Sequence, residues 1–184
     1  TGEPFGGNVR LREYRFLYQQ FWSLNLDSTL ILMAKAQLGM LQQQGGTRIP
    51  AEDRYRIGGM ISIRAHPYYV IAGPFSFREQ ARNQETKIMA DENGYQQLKT
   101  YDKRTVGLSI EELDQLESGG VSERILNLEL LFPLSRDEKS FIRGVVFADA
   151  GNVNAEPVQY RLLGEREPEF FDMRKSAGAG VRVI

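Results

Sequence analysis

The residues of this chain best placed to do chemistry are two acids on successive alternating segments, Glu129 and Asp149, and an arginine, Arg64, in a glycine-rich stretch upstream of them. Two carboxylates facing one space could act as general acid and base in a hydrolysis, but no other pattern in the chain marks a substrate cleft. Arg64 taken alone reads as a solvated loop arginine. His66 is the only histidine and there is no cysteine. That excludes a histidine-rich or cysteine-ligated metal site, a redox pair and a disulfide framework. Asp91-Glu92-Asn93-Gly94 lacks the spaced ligands of a calcium loop. Neither Gly58-Gly59 nor Gly119-Gly120 is followed by the Gly-Lys-Ser/Thr of a phosphate loop, and both read as bends where a loop meets a sheet. No cofactor or metal is expected, and the chain is not read as an enzyme.

The elements that position the acids alternate with a period of two. From Ser122 to Phe132 one face carries Ser122, Arg124, Leu126, Leu128, Leu130 and Phe132, and the other Glu123, Ile125, Asn127, Glu129 and Leu131. Ile142, Gly144, Val146, Ala148 and Ala150 then share a face opposite Arg143, Phe147 and Asp149. An apolar face backed by a charged one is how a strand reads when lipid or a core covers one side and a polar interior the other. Further strands are expected over about 9–24, with Tyr14, Phe16, Tyr18 and Trp22 on one face, over 27–42 and over 175–184. The segment 27–42 also has helix-favouring residues. The strand reading is kept because its alternation is sustained and Gly39 falls inside it. Strands of this length match a membrane-spanning strand of about ten residues better than a soluble one.

Between them, residues 43–119 show no sustained pattern, and a connection of that length is usually functional. Within it Ser109-Ile110-Glu111-Glu112 has the form of a capping box opening a short helix through Leu113 and Leu116 that ends at Gly119-Gly120. The segment from Glu79 to Lys103 is polar and expected in water. The stretch from Asn154 to Arg174 reads as a polar connection. Gly6-Gly7-Asn8 and Leu134 to Glu138 read as tight turns.

With 41% hydrophobic and 26% charged residues the chain has the composition of a folded protein. A net charge of -1 gives no reason to expect nucleic acid. No run of about 18 apolar residues forms a membrane helix, a test that barrel strands escape. The first residues, Thr1-Gly2-Glu3-Pro4, lack the regions of a signal peptide, so the sequence is expected to start within something longer or to be processed. Five long strands fall short of the roughly eight a single-chain barrel needs. The expected fold is therefore all-β: antiparallel strands of a partial transmembrane β-barrel, residues 1–184 forming one piece of it, with one long inward-folding loop containing a short helix.

Several motifs carry a resemblance. Pro50-Ala51-Glu52-Asp53-Arg54-Tyr55, Gly58-Gly59, Ser62-Ile63-Arg64 and Gly73-Pro74 resemble the long loop of the outer-membrane protein assembly factor superfamily, which runs P-x-x-E/D-R-F, G-G, V/I-R-G-F/Y, G-P. Glu129 with Phe132-Pro133-Leu134, Phe147 to Val153, and Arg174 to Val181 are similar to the strands that follow that loop. The resemblance spans nearly the whole chain and implies the later middle part of the family's barrel, in the bacterial cell outer membrane. It implies that the loop folds back into the lumen and that Arg64 pairs with Glu129 and Asp149 as a lumen anchor, within a loop motif of Gly58, Gly59, Ile63, Ala65, His66, Gly73 and Pro74. Both acids lie on the face read independently as polar. This chain has Ala65 and His66 where the family has glycine and an aromatic, so the loop tip is expected to turn differently. The implied function is assembly and insertion of outer-membrane β-barrel proteins. The implied partners are outer-membrane lipid, unfolded outer-membrane clients and accessory assembly lipoproteins, with no nucleic acid. The alternatives are an export pore of the same superfamily and a soluble β-sandwich binding module.

Overall fold

A computed structural model describes residues 10–27, 29–44, 49–67, 71, 73, 84–90, 96–102, 108–109, 112, 116, 119–134 and 142–183. Strands β1 (Arg10–Ser23), β2 (Ile31–Gln44), β5 (Ser122–Pro133), β6 (Ile142–Asn154) and β7 (Arg174–Val183) form one antiparallel sheet in the order β1-β2-β5-β6-β7. The sheet is not closed, so β1 and β7 are its edges. β3 (Gln84–Ala90) and β4 (Gln96–Asp102) pair as a separate hairpin. A short helix, α1 (Pro157–Leu163), lies between β6 and β7. Among the described residues no helix is long and apolar enough to cross a membrane, which says nothing about strands.

Register makes the alternation continuous across the wall. Asn127 sits opposite Asp149 and Glu129 opposite Phe147 on β5–β6, while Phe147 faces Gly178 and Asp149 faces Ser176 on β6–β7. Glu123, Asn127, Glu129 and Asp149 are therefore on one face, and all are buried. Tyr14, Phe16, Tyr18 and Trp22 of β1, Leu38 and Met40 of β2, Leu126 and Leu128 of β5 and Val146 of β6 are on the other, and all are exposed. An apolar face left this open across four strands is the pattern of a barrel wall that faces lipid. The sandwich alternative fails here: β2 and β5 are hydrogen-bonded neighbours in one sheet and cannot cover one another.

Among the described residues the inner face is covered by the chain between β2 and β5. Ile49, Tyr55, Ile57, Ile63 and Ile71 from that connection pack with Leu41, Ile125 and Val153 of the wall in one buried cluster. Antiparallel bridges Tyr55–Gly120 and Ile57–Ile71 tie the connection down. A smaller cluster of Met33, Leu131 and Val145 sits on the same face farther along the strands.

Three sequence expectations need correction. β2 starts at Ile31 rather than at 27, because Asn25 organises the preceding turn: its Oδ1 accepts from the Leu30 amide at 2.9 Å and its Nδ2 donates to Thr29 Oγ1 at 2.6 Å. The polar stretch from 79 to 103 contains the β3–β4 hairpin. The connection after Asn154 contains α1, which begins with a proline in its first turn and ends at Gly164 in the left-handed region, φ 66°. Ser109 and Glu112 bond reciprocally as a capping box, the Glu112 carboxylate accepting from the Ser109 amide at 2.8 Å and the Ser109 hydroxyl from the Glu112 amide at 3.2 Å. Gly6-Gly7-Asn8, Pro74, Asp91–Gly94, Ile110, Leu113 and the turn residues from Ser135 lie outside the described residues.

Candidate functional site: the inward arginine and its acids

Residues 58–66 form a compact reversal on the inner face. Gly58 and Gly59 have φ of 130° and 85°, a left-handed entry that side chains disfavour. The Ser62 hydroxyl closes the entry, accepting from the Gly58 amide and donating to the Gly58 carbonyl, both at 2.8 Å. The Gly59 amide donates to the His66 carbonyl at 2.8 Å, and the His66 amide to the Ile63 carbonyl at 3.2 Å, so Arg64 and Ala65 are the central pair of a turn at the tip. Ile63 is fully buried beside Gly151.

This turn delivers the Arg64 guanidinium to both acids. Nε donates to Asp149 Oδ2 at 2.8 Å and Nη2 to Asp149 Oδ1 at 2.6 Å, a two-pronged pairing, while Nη1 donates to Glu129 Oε1 at 2.5 Å. The Arg64 amide adds a bond to Asp149 Oδ2 at 3.1 Å. Burial opposes a charge here, but the hydrogen bonds and charge of Asp149, then of Glu129, outweigh it and raise the Arg64 pKa above its ordinary value. The guanidinium also lies 3.7 Å from the centre of the Phe147 ring.

Four partners complete the cluster that residue types alone did not single out. Asn127 Nδ2 bridges Asp149 Oδ1 at 2.8 Å and the Ser62 carbonyl at 2.6 Å. Ser176 donates to Asp149 Oδ2 at 3.3 Å. Arg182 grips Glu129 from β7, Nη1 to Oε2 at 2.9 Å and Nη2 to Oε1 at 3.1 Å. Phe147 supplies the stacking surface. The two-residue period places Asn127, Phe147 and Arg182 on the inner face; only strand register brings them beside the acids. All four carboxylate oxygens lie within ion-pair distance of a guanidinium, Glu129 Oε2 facing Arg182. His66, half-buried, and Gly73 line a polar cavity of about 680 Å³ at the loop end of the wall and do not touch the acids; the aromatic face on Arg64 comes from Phe147 instead.

A second attachment holds the root of the same loop. Tyr55 donates to Glu13 Oε1 on β1 at 2.9 Å, and Gly39 of β2 leaves the room for its ring. The Arg15 guanidinium stands 5.7 Å from the centre of that ring. Burial, and then the Glu13 carboxylate, push the Tyr55 phenol up to about 12. A phenol ionising near 10 when unfolded and near 12 when folded contributes stability that is intact below pH 10 and lost between pH 10 and 12. Protease cleavage of the loop is expected to rise across that window. Tyr55→Phe, which loses the bond to Glu13 at a cost of about 1 kcal/mol, should cleave faster at neutral pH and lack the alkaline step.

The whole chain, residues 1–184, matches the Omp85 superfamily domain. The chain belongs to the Omp85 superfamily. Membership places this Omp85 domain in the bacterial outer membrane, among proteins of barrel insertion and secretion. Its fold is similar to that of BamA from Haemophilus ducreyi lacking POTRA domains 1–3, with a TM-score of 0.61, 22% identity and 94% of this chain covered. The chain spans 29% of that protein's length. No curated protein matches it.

Proposed function

We propose that this Omp85 domain is the barrel portion of an insertase that folds client β-barrels into the outer membrane, and that Arg64 anchors the inward loop to the barrel wall. The single observation carrying this reading is the three-way contact of Arg64 with Glu129 and Asp149, which ties one loop tip to two adjacent strands. A lumen that must stay closed while client strands form elsewhere on the barrel needs such an internal brace. Unfolded outer-membrane clients, the surrounding lipid and accessory assembly lipoproteins are the partners this role requires. The test uses the full-length protein in liposomes with an unfolded client barrel. Client conversion to a heat-modifiable, protease-resistant form is expected to be accelerated. Asp149→Asn should slow it, and Arg161→Ala, on the exposed side of α1, should leave it unchanged. Release of a soluble passenger with no client insertion would instead identify an export pore.

A further inference from the structure

The chain between β6 and β7 does not simply stand above the wall; part of it folds down over the outer face. Arg124 and Asn152 lie opposite one another on the exterior side of β5 and β6. The Arg124 guanidinium donates to the Phe170 carbonyl at 2.9 Å and to Asn154 Oδ1 at 2.8 Å, and it stands 4.7 Å from the Phe170 ring centre. Asn152 Nδ2 donates to the Asp172 carbonyl at 2.9 Å. Arg124 is only 8% exposed as a result. This pinning presents two rings outward: Phe170 and Phe171 meet edge to face at 5.1 Å, yet remain 57% and 81% exposed.

The level of these rings follows from the strand beneath them. On the exterior side of β5, Arg124 is followed toward the opposite end by Leu126, Leu128, Leu130 and Phe132. At about 3.4 Å per residue and a tilt of roughly 40°, the distance from Arg124 to Phe132 spans about 21 Å of height, close to the ~25 Å apolar belt of such barrels. Arg124 therefore marks the upper edge of the belt. Directly below it, an apolar groove of about 530 Å³ runs between Leu126 and Leu128 on one side and Ala148, Ala150 and Ala177 on the other, with Lys175 also in its lining. Held on Arg124, the exposed phenylalanines stand at the upper margin of the lipid-facing surface, at the depth where ring systems favour the boundary between headgroups and acyl chains.

We propose that Phe170 and Phe171 form an aromatic foot that enters the lipid interface at this end of the wall and fixes the β6–β7 connection to the membrane surface, with Arg124 and Asn152 aiming it. The foot is independent of the Arg64 anchor and of client insertion; it requires only that the exterior face meets lipid. Single cysteines carrying a nitroxide are placed at Phe171, Leu128 and Arg166 in the full-length protein in phospholipid liposomes, and collision with oxygen is compared with collision with a water-soluble nickel chelate. Leu128 reports the belt and Arg166 the aqueous loop. The label at 171 is expected about 5–10 Å below the phosphates, between the two references. A value equal to that at 166, or shielding from both colliders by a protein neighbour, overturns the foot while leaving the barrel intact. A nickel-accessible label at 128 overturns the lipid-facing wall itself. Phe171→Trp gives a second reading without a label. Added emission quenched by lipids brominated near the carbonyls supports the foot, and unquenched emission refutes it.

Discussion

Arg64→Ala is expected to cause the largest single loss of stability in this domain. The substitution leaves Asp149, whose side chain is fully buried, and Glu129 with four carboxylate oxygens and only part of their donors. Breaking a buried charge pairing by removing one partner costs roughly 3–5 kcal/mol, because the stranded charge stays desolvated. The thermal transition at which the full-length protein loses its folded, heat-modifiable gel mobility should fall accordingly, and residues 58–66 should become open to protease. Arg64→Lys is expected to recover little: an ammonium cannot place three fixed donors on two acids and a flat face on Phe147 at once. Equal mobility and protection for wild type and Arg64→Ala would remove the anchor from this picture.

The second large effect is expected from Gly151→Ala. A β-carbon there would stand 2.6 Å from the Arg124 carbonyl oxygen of the neighbouring strand and 2.8 Å from Ile63 Cδ1. The first contact is backbone and cannot yield without opening the β5–β6 ladder; the second pushes the loop tip inward and carries Arg64 away from its acids. Overpacking of this kind costs about 1–3 kcal/mol, so loop protection and thermal stability should fall together. Gly180→Ala is the matched control on the same inner face, where the nearest atom to the added carbon is Val145 Cγ1 at 3.7 Å. If both alanines lowered stability alike, loss of strand glycines in general, and not the seat of Ile63, would be the cause.

What was legible in the sequence was whatever repeats with a period of two. Leu126 against Asn127 and Leu128 against Glu129 announce which side is wet, because each step of the pleat reverses the side chain. Register was not legible: nothing local in Gly178 or Ser176 says that they face Phe147 and Asp149, so Arg182's hold on Glu129 stayed out of sight. The β3–β4 hairpin escaped because both its segments, Gln84–Ala90 and Gln96–Asp102, are mainly polar and their sequences carry no clean apolar alternation. α1 was marked by Pro157 and Gly164 at its two ends, but seven residues are too few for a helical period to stand out. The contact of Arg64 with its acids joins positions 65 and 85 residues apart, a pairing that only the order of family motifs suggested.

The loop is fastened directly to β1, β5 and β6, and the acids that hold it are held in turn from β7. Tyr55 reaches the β1 carboxylate of Glu13, and Arg64 reaches β6, where Ser176 shares Asp149, while Arg182 of β7 closes on the same Glu129. Changing the curvature of this five-strand panel would pull at least one of those fastenings out of reach. The panel is therefore expected to resist bending as a single plate, with its curvature set by the loop that spans it.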